Sequence, residues 1–273
     1  MNEGLNSDLV RFALGVSSEN NRYYEEIINN SKIRRTSKEG FYLKNLSIEQ
    51  KLQYAEIIFY DCLQEIVISI DYANHALETS NFGVAFSLVR KPFRDLLACM
   101  EYLTFDWQGY IEGILDNDIE RIDVSMKNNK DKIEKNMVFL MQENESFFKG
   151  MKVEDLKAIN LHRYGPDKAK NTLSTALSQS LHLVTNNPAY KTPKNRLNFI
   201  PLVSNQVFEQ NYLVIYLGFL PMFYAYLNRL VAFNTLMTFN HNNESTVRQV
   251  IKYPKIENKF LEFTTEIENA FLK

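Results

Sequence analysis

The sequence contains few of the residues that end helices and form tight turns. Its 273 residues include only 9 Gly and 7 Pro, too few to separate the many short strands of a β-sandwich or barrel. By contrast, 45% of the residues are hydrophobic and 13% are aromatic. This is enough for a large core and excludes disorder along the whole length. A long apolar chain with few turn residues favours long helices.

Residues that ligate metals are also scarce. The chain has two cysteines, Cys62 and Cys99, and four histidines. Because both cysteines lie in apolar helical patterns, we expect buried thiols, and we predict neither a metal site nor a cofactor. The first residues contain no basic region followed by an apolar run, as a secretory signal would. A cytoplasmic protein is therefore expected.

Charge and catalytic motifs narrow the function further. The formal net charge is −2, so attraction to nucleic acid or anionic lipid requires a local basic patch. The motifs GxxxxGK[ST], GxGxxG, HExxH and GxSxG do not occur. These absences exclude the function classes that depend on those motifs, and they favour a binding role over catalysis.

Apolar residues recur at three- and four-residue steps in several segments. After a capping box formed by Ser47 and Gln50, this pattern predicts a helix of some thirty residues that ends near Leu77. A second helical pattern follows residues 81–83, and Pro92 must kink or break it. Charged, weakly amphipathic segments occupy residues 116–150. They predict surface helices, followed by a short helix at residues 154–160.

The segment 211–228 is uncharged and approaches the length of a membrane-spanning helix. However, it contains four Tyr as well as Gly218 and Pro221, and Arg229 follows directly. Its hydropathy is therefore below that of most spanning helices. We predict a central helix at about residues 203–240 that is surrounded by protein, with no membrane contact in the resting state.

Together these patterns predict an all-α fold. The expected architecture is a multi-helix bundle with long central apolar helices and an amphipathic outer layer. Residues 1–45 are expected to form a polar N-terminal arm with short helices. Residues 46–273 are expected to form a single helical bundle domain.

The largest local charge excess lies between residues 161 and 199. We expect a helix to begin at Pro166, so that its unpaired N–H groups and the nearby cations together hold a phosphate. Tyr164, Tyr190 and Phe199 would supply stacking surfaces. The alternative is a basic loop that only solvates the surface. The predicted ligand-binding residues are His162, Arg163, Lys168, Lys170, Lys191, Lys194 and Arg196.

A second polar group, formed by Arg90, Arg94 and Asp95, flanks Pro92 in an otherwise apolar helical pattern. A buried Arg at this position would need a carboxylate or several carbonyl groups as partners. We therefore expect these side chains either to bridge helices or to form a polar pocket in the bundle.

Residues 82–103, FGVAFSLVRKPFRDLLACMEYL, resemble a helix of bacterial proteins similar to the HEPN superfamily. Members of that superfamily are compact helical bundles common in toxin–antitoxin and antiphage systems. The resemblance implies a helical bundle and a role in defence or stress. Active HEPN ribonucleases carry an Arg followed by His after four to six residues. None of the four histidines has that Arg, although Lys157 matches the spacing to His162, so such ribonuclease activity is not expected.

Three functional hypotheses follow. The leading one is a non-catalytic component of a bacterial defence or stress system. It would bind a phosphate-bearing ligand, either a nucleotide or a nucleic acid, or a partner protein through residues 162–196. The second is a HEPN-like nuclease or nucleotide-processing toxin, with His162 as general acid or base and Arg163 stabilising the developing charge. The third is a membrane-acting effector that exposes helix 211–240 after a trigger. Self-association into a homo-oligomer is also expected.

Overall fold

The computed structural model describes residues 46–79, 81–165, 172–181 and 206–239, together with residues 15, 17–19, 21–22 and 24–28. These parts of the chain are helical and contain no strand, so the predicted all-α class is confirmed. The helices are α1 (Ile48–Glu78), α2 (Phe82–Lys91), α3 (Leu97–Leu115), α4 (Ile119–Ile122), α5 (Lys127–Glu143), α6 (Val153–Tyr164), α7 (Leu173–Gln179) and α8 (Gln206–Phe233). Two π-helical turns accompany them, Pro92–Leu96 between α2 and α3, and Asn234–Thr238 after α8.

Helix α1 begins at the predicted capping box. The Gln50 amide donates to Ser47 Oγ at 3.2 Å, and the Ser47 amide donates to Gln50 Oε1 at 2.9 Å. These bonds satisfy two amide groups that the first turn leaves unpaired. One face of α1 then buries Phe59, Leu63 and Ile66 completely. Its apolar face packs against α2 and α3, which together form one side of the core.

At Pro92, where we predicted a kink or a break, the helix continues in a wider form, and Lys91 and Pro92 both keep right-handed helical angles. Proline has no amide hydrogen, so it cannot donate to the carbonyl of Leu88. Instead of ending, the chain widens into the π-helical turn Pro92–Leu96, in which the Leu97 amide donates to the Pro92 carbonyl. A π turn changes the hydrogen-bond register for a few residues. The carbonyl groups of Phe93 and Arg94 in this turn accept bonds from α6.

Helix α8 lies at the centre of the bundle, as its uncharged segment 211–228 predicted. Its fully or almost fully buried side chains include Phe219, Phe223, Tyr226 and Leu230. Phe93 packs against it, with ring centroids 5.0 Å from Phe219 and 4.6 Å from Phe223. None of the helices in the described part of the chain combines the length and hydrophobicity needed to cross a membrane.

The outer layer and the N-terminal residues complete the core. Helix α5 buries only Ile133, Met137 and Met141, as an amphipathic surface helix should. The described N-terminal residues contribute Tyr24 and Ile27 to the same core, both without exposed surface. Cys62 and Cys99 are both free and buried, as predicted.

Candidate anion-binding cleft

Most of the predicted ligand-binding residues fall outside the described part of the chain. These are Lys168, Lys170, Lys191, Lys194 and Arg196. His162 and Arg163 are described, together with the neighbouring Tyr164. These three residues show where the sequence interpretation needs correction.

The helix start predicted at Pro166 lies outside the described residues, whereas the short helix predicted at residues 154–160 is longer and includes His162, Arg163 and Tyr164. They form the last turn of α6, which continues past Asn160 because no helix-breaking residue follows until Gly165. Gly165 has a φ of +43°, and its amide donates to the Leu161 carbonyl at 2.9 Å. Glycine at a positive φ is a common way to end a helix. The last turn of α6 lies at the negative end of its helix dipole, so α6 itself supplies no unpaired amide donors for a phosphate at these residues.

Arg163 is fully buried, and each of its nitrogen atoms has a partner. Nη1 donates to both oxygens of Glu101, at 2.8 and 2.9 Å, and to Asn160 Oδ1 at 3.1 Å. Nε donates to the Phe93 carbonyl at 2.6 Å, and Nη2 to the Arg94 carbonyl at 3.2 Å. Arg163 is thus a structural residue that joins α6 to α3 and to the π-helical turn. The prediction that it contacts a ligand at the surface is wrong.

Glu101 completes this buried centre. Its Oε1 also accepts a hydrogen bond from Tyr226 of α8 at 2.8 Å. Burial is the largest single influence on Arg163 and opposes its charge, but attraction to Glu101, the nearby Tyr164 and Tyr226 and the hydrogen bond to Glu101 together raise the pKa of Arg163. We call Arg163, Glu101 and Tyr226 the paired centre. It links three helices through charge-assisted hydrogen bonds, which are shorter and stronger than neutral ones.

His162 also has a structural environment. Its Nδ1 faces the amide of Leu173 at 3.4 Å, at the start of α7, and its ring centroid lies 5.5 Å from that of Phe219. Burial lowers the pKa of His162, which keeps the ring neutral near pH 7 and lets Nδ1 accept from that amide. The general acid or base role of His162 stays a prediction, with no catalytic partner beside the ring among the described residues.

A cleft of about 500 Å³ opens between α5 and α6. The chain returns through residues 144–152, so the end of α6 lies beside the start of α5. Each helix lines the cleft with residues at positions i, i+3, i+4 and i+7, which share one helical face. From α5 these are Lys127, Lys130, Asp131 and Glu134, and from α6 they are Lys157, Asn160, Leu161 and Tyr164. Glu101 lines the cleft as well.

Tyr164 contacts the paired centre through Arg163 and lies beside two further cations, Lys130 in the lining of the cleft and Arg94 outside that lining. Lys130 Nζ lies 4.9 Å from the centroid of the Tyr164 ring, and Arg94 Cζ lies 5.9 Å from it. The Tyr164 hydroxyl donates to the Arg94 carbonyl at 3.0 Å, while burial raises the pKa of Tyr164 to about 12. The phenol therefore stays protonated and its ring offers a neutral, electron-rich face to the cations.

Lys130 and Arg94 repel each other, and the described carboxylates that act on them, Asp95 on both and Asp123 on Lys130, form no direct ion pair with either cation. Burial and then the charge of Arg94 lower the pKa of Lys130, and burial and then the charge of Arg90 lower the pKa of Arg94. Asp95 opposes both shifts. Among the described residues neither cation takes part in an ion pair, and the Arg94 Nε is buried without a hydrogen-bond partner. We call Arg90, Arg94 and Lys130 the unpaired cations.

The sequence interpretation missed the lysines of the cleft. It treated residues 116–150 as charged surface helices, and nothing in a single helix marks Lys127 and Lys130 as more than solvated charges. The available signal was that α5 and α6 each carry polar residues at helical spacing along one face. Only the pairing of the two helices turns these faces into the walls of a cleft.

Two further observations bear on the chemistry of the cleft. Within the described ranges, no group of His, Cys, Asp and Glu side chains is arranged to hold a metal ion. Comparison of the chain with protein-family models, with characterised proteins and with solved structures found no match. The function must therefore be inferred from the geometry and the charge of the cleft itself.

Proposed function

We propose that the protein binds a phosphate-bearing ligand in the cleft between α5 and α6. The observation that carries the proposal is the position of Lys130 and Arg94 beside Tyr164, partly buried, mutually repelling and without a direct ion pair among the described residues. Partly desolvated like charges destabilise one another, and a bound anion removes that repulsion. Lys127 and Lys157 add positive charge along the two walls.

The lining supports binding more than catalysis. Glu101 is the most buried carboxylate of the cleft, but Arg163 and Tyr226 already occupy its oxygens. It is therefore not available as a general base. His162 is not among the residues that line the cleft. No observation favours the nuclease or membrane-effector hypotheses over ligand binding.

The wider biological role stays a prediction. The resemblance of residues 82–103 to HEPN-like proteins motivates a place in a bacterial defence or stress system, and the partner protein and the homo-oligomer are expectations of the same kind. The proposal made from the structure is narrower. It concerns the anion that the cleft binds and the residues that bind it.

The test is calorimetric titration of the full chain with inorganic phosphate and with pyrophosphate, at low and at moderate salt. We expect binding that weakens as salt rises, because exposed charges are screened. Lys130→Ala should weaken binding by about tenfold or more, the loss expected for a hydrogen bond to a charged group. The matched control is Lys135→Ala, since Lys135 lies on α5 but is exposed and does not line the cleft.

Two results would contradict the proposal. One is that the chain binds neither phosphate nor pyrophosphate at low salt although its cooperative unfolding shows that it is folded. The other is an equal loss of binding in Lys130→Ala and Lys135→Ala, which would indicate attraction to the general charge of α5 instead of a site.

A further inference from the structure

The cleft also contains carboxylates that the binding of a simple anion does not explain. Asp131 and Glu134 lie on the same face of α5 as Lys127 and Lys130. Among the described residues, no ion pair joins these carboxylates to the lysines of the cleft. Unlike Glu101, whose oxygens are occupied by Arg163 and Tyr226, they are free to accept hydrogen bonds from a ligand.

The positive and negative groups are separated along α5. Lys130 lies beside Tyr164, whereas Glu134 is one helical turn further on, or about 6 Å along the axis. A ligand in the cleft therefore meets Lys127 and Lys130 at the end beside Tyr164, and towards the other end it meets Asp131 and Glu134, whose charge Lys157 of α6 offsets only in part. The negative charge of the ligand must be confined to one end, and the remainder must offer hydrogen-bond donors.

A nucleic acid strand does not meet these demands. Its phosphates repeat along the whole strand, so some of them would be placed against Asp131 and Glu134, where like charges repel. The cleft also has the volume of a small-molecule pocket, about 500 Å³, within the range of roughly 300 to 1,000 Å³ that is common for such sites.

We infer that the ligand is a small phosphate monoester on a hydroxylated body, the chemistry shared by sugar phosphates and nucleoside monophosphates. Its phosphate lies beside Lys130 at the Tyr164 end of the cleft, where nearby Arg94 adds positive charge, and its hydroxyl groups donate to Asp131 and Glu134. Hydroxyls are donors, and ionised carboxylates only accept. This inference rests on the proposed function. That proposal places the phosphate of the ligand, and the inference assigns the remainder of the same ligand.

The experiment compares four probes by calorimetric titration: inorganic phosphate, ribose 5-phosphate, adenosine monophosphate and a single-stranded RNA of twelve nucleotides. The test variant is Asp131→Asn/Glu134→Gln, which keeps the size of both side chains and removes their charge. The control is Glu143→Gln, since Glu143 is exposed at the end of α5 and does not line the cleft. Thermal unfolding of each variant confirms that it is folded.

We expect both monoesters to bind about tenfold more tightly than inorganic phosphate, because charged acceptors strengthen their hydroxyl hydrogen bonds. The double variant should lose this advantage, while its affinity for inorganic phosphate stays the same or rises. Glu143→Gln should bind all four probes like the original chain.

The remaining outcomes separate the two proposals. If inorganic phosphate binds but the monoesters bind no more tightly, or keep their advantage in the double variant, the inference is wrong and the proposed function stands. The inference is also wrong, and the proposed function stands, if the RNA binds more tightly than the monoesters and its affinity for the double variant is higher still. If no probe binds, both proposals are wrong.

Discussion

The cations around Tyr164 occur in two contrasting environments: Arg163 is buried in the paired centre, whereas Lys130 and Arg94 are partly exposed. In the paired centre, Arg163 is fully buried, and Glu101, Asn160 and backbone carbonyls satisfy its guanidinium. Lys130, which lines the cleft, and Arg94, which lies beside Tyr164, are only partly buried, and neither forms an ion pair among the described residues. A buried cation without a counterion is costly, so Arg163 requires its partners for folding. Cations that are partly exposed can remain unpaired, and they are available to a ligand.

The strongest test of this contrast is to remove the countercharge of Arg163. Glu101→Gln leaves the Arg163 charge buried and uncompensated, so we expect a loss of about 3–5 kcal/mol in the free energy of unfolding, measured by chemical denaturation. Glu65→Gln is the control, because Glu65 pairs with Lys91 at 2.6 Å but both side chains are about half exposed. Such surface pairs contribute about 0–1 kcal/mol, and similar losses in the two variants would contradict the contrast.

Glu101→Gln could fail to fold, and a compensated variant addresses that outcome. Combining Glu101→Gln with Arg163→Met removes both charges while retaining an unbranched side chain at position 163. Replacing a buried ion pair by apolar groups is often neutral or stabilising. The double variant should therefore be more stable than Glu101→Gln alone; a further loss would show that the hydrogen bonds of Arg163 matter more than its charge.

A smaller loss is expected from Tyr226→Phe. This change removes the hydroxyl that donates to Glu101 Oε1 at 2.8 Å and leaves the ion pair with Arg163 in place. We expect a loss of about 1–3 kcal/mol in the free energy of unfolding, because a hydrogen bond to a buried charge is broken. Tyr72→Phe, at an exposed position, serves as the control and should change stability very little.

His162 provides a pH-dependent test in the same turn of α6. Because burial lowers the pKa of His162 below its ordinary value of 6.5, the unfolded chain binds a proton more readily than the folded one. Its contribution to stability is therefore complete above pH 6.5 and is lost as the pH falls through the folded pKa. Unfolding of the chain and of His162→Gln, measured from about pH 8 to about pH 5, should show a shallower decline in the variant. Parallel curves would contradict the lowered pKa.

The smallest effect on stability is expected in the cleft. Lys130→Met removes one of two repelling cations and keeps much of the contact with the Tyr164 ring. The free energy of unfolding should change by less than about 0.5 kcal/mol or rise slightly, while phosphate binding falls. A loss as large as that of Glu101→Gln would show that Lys130 belongs to the folding core and not to a binding site.

The sequence predicted the helical architecture well because its signals are local. The capping box at Ser47 and Gln50, the change of helix geometry at Pro92 and the enclosed central helix α8 each depend on the order of nearby residues. The extension of α6 to Tyr164 was missed because Gly165 was interpreted as part of the next helix start, when it is the end of α6. That signal was also local, and the helix-ending preference of glycine was enough to find it.

The candidate site could not be located from the sequence in the same way. Arg163 and Lys130 have the same formal charge, and both lie on helices that also carry other charged residues. Their roles differ because α3 places Glu101 within 2.8 Å of Arg163, whereas no described carboxylate is so placed beside Lys130. The partners of Arg163 are distant from it in the sequence. The π-helical turn whose carbonyl groups accept hydrogen bonds from Arg163 lies more than sixty residues before it.

The sequence by itself thus determined the class of the fold and the order of its helices, because apolar spacing, caps and proline act within a few residues. The tertiary structure alone decided which cations are neutralised inside the protein and which face a cleft. The physical reason is that the free energy of a charge depends on its burial and on its nearest counterion. Both are set by the packing of helices that are distant in the chain.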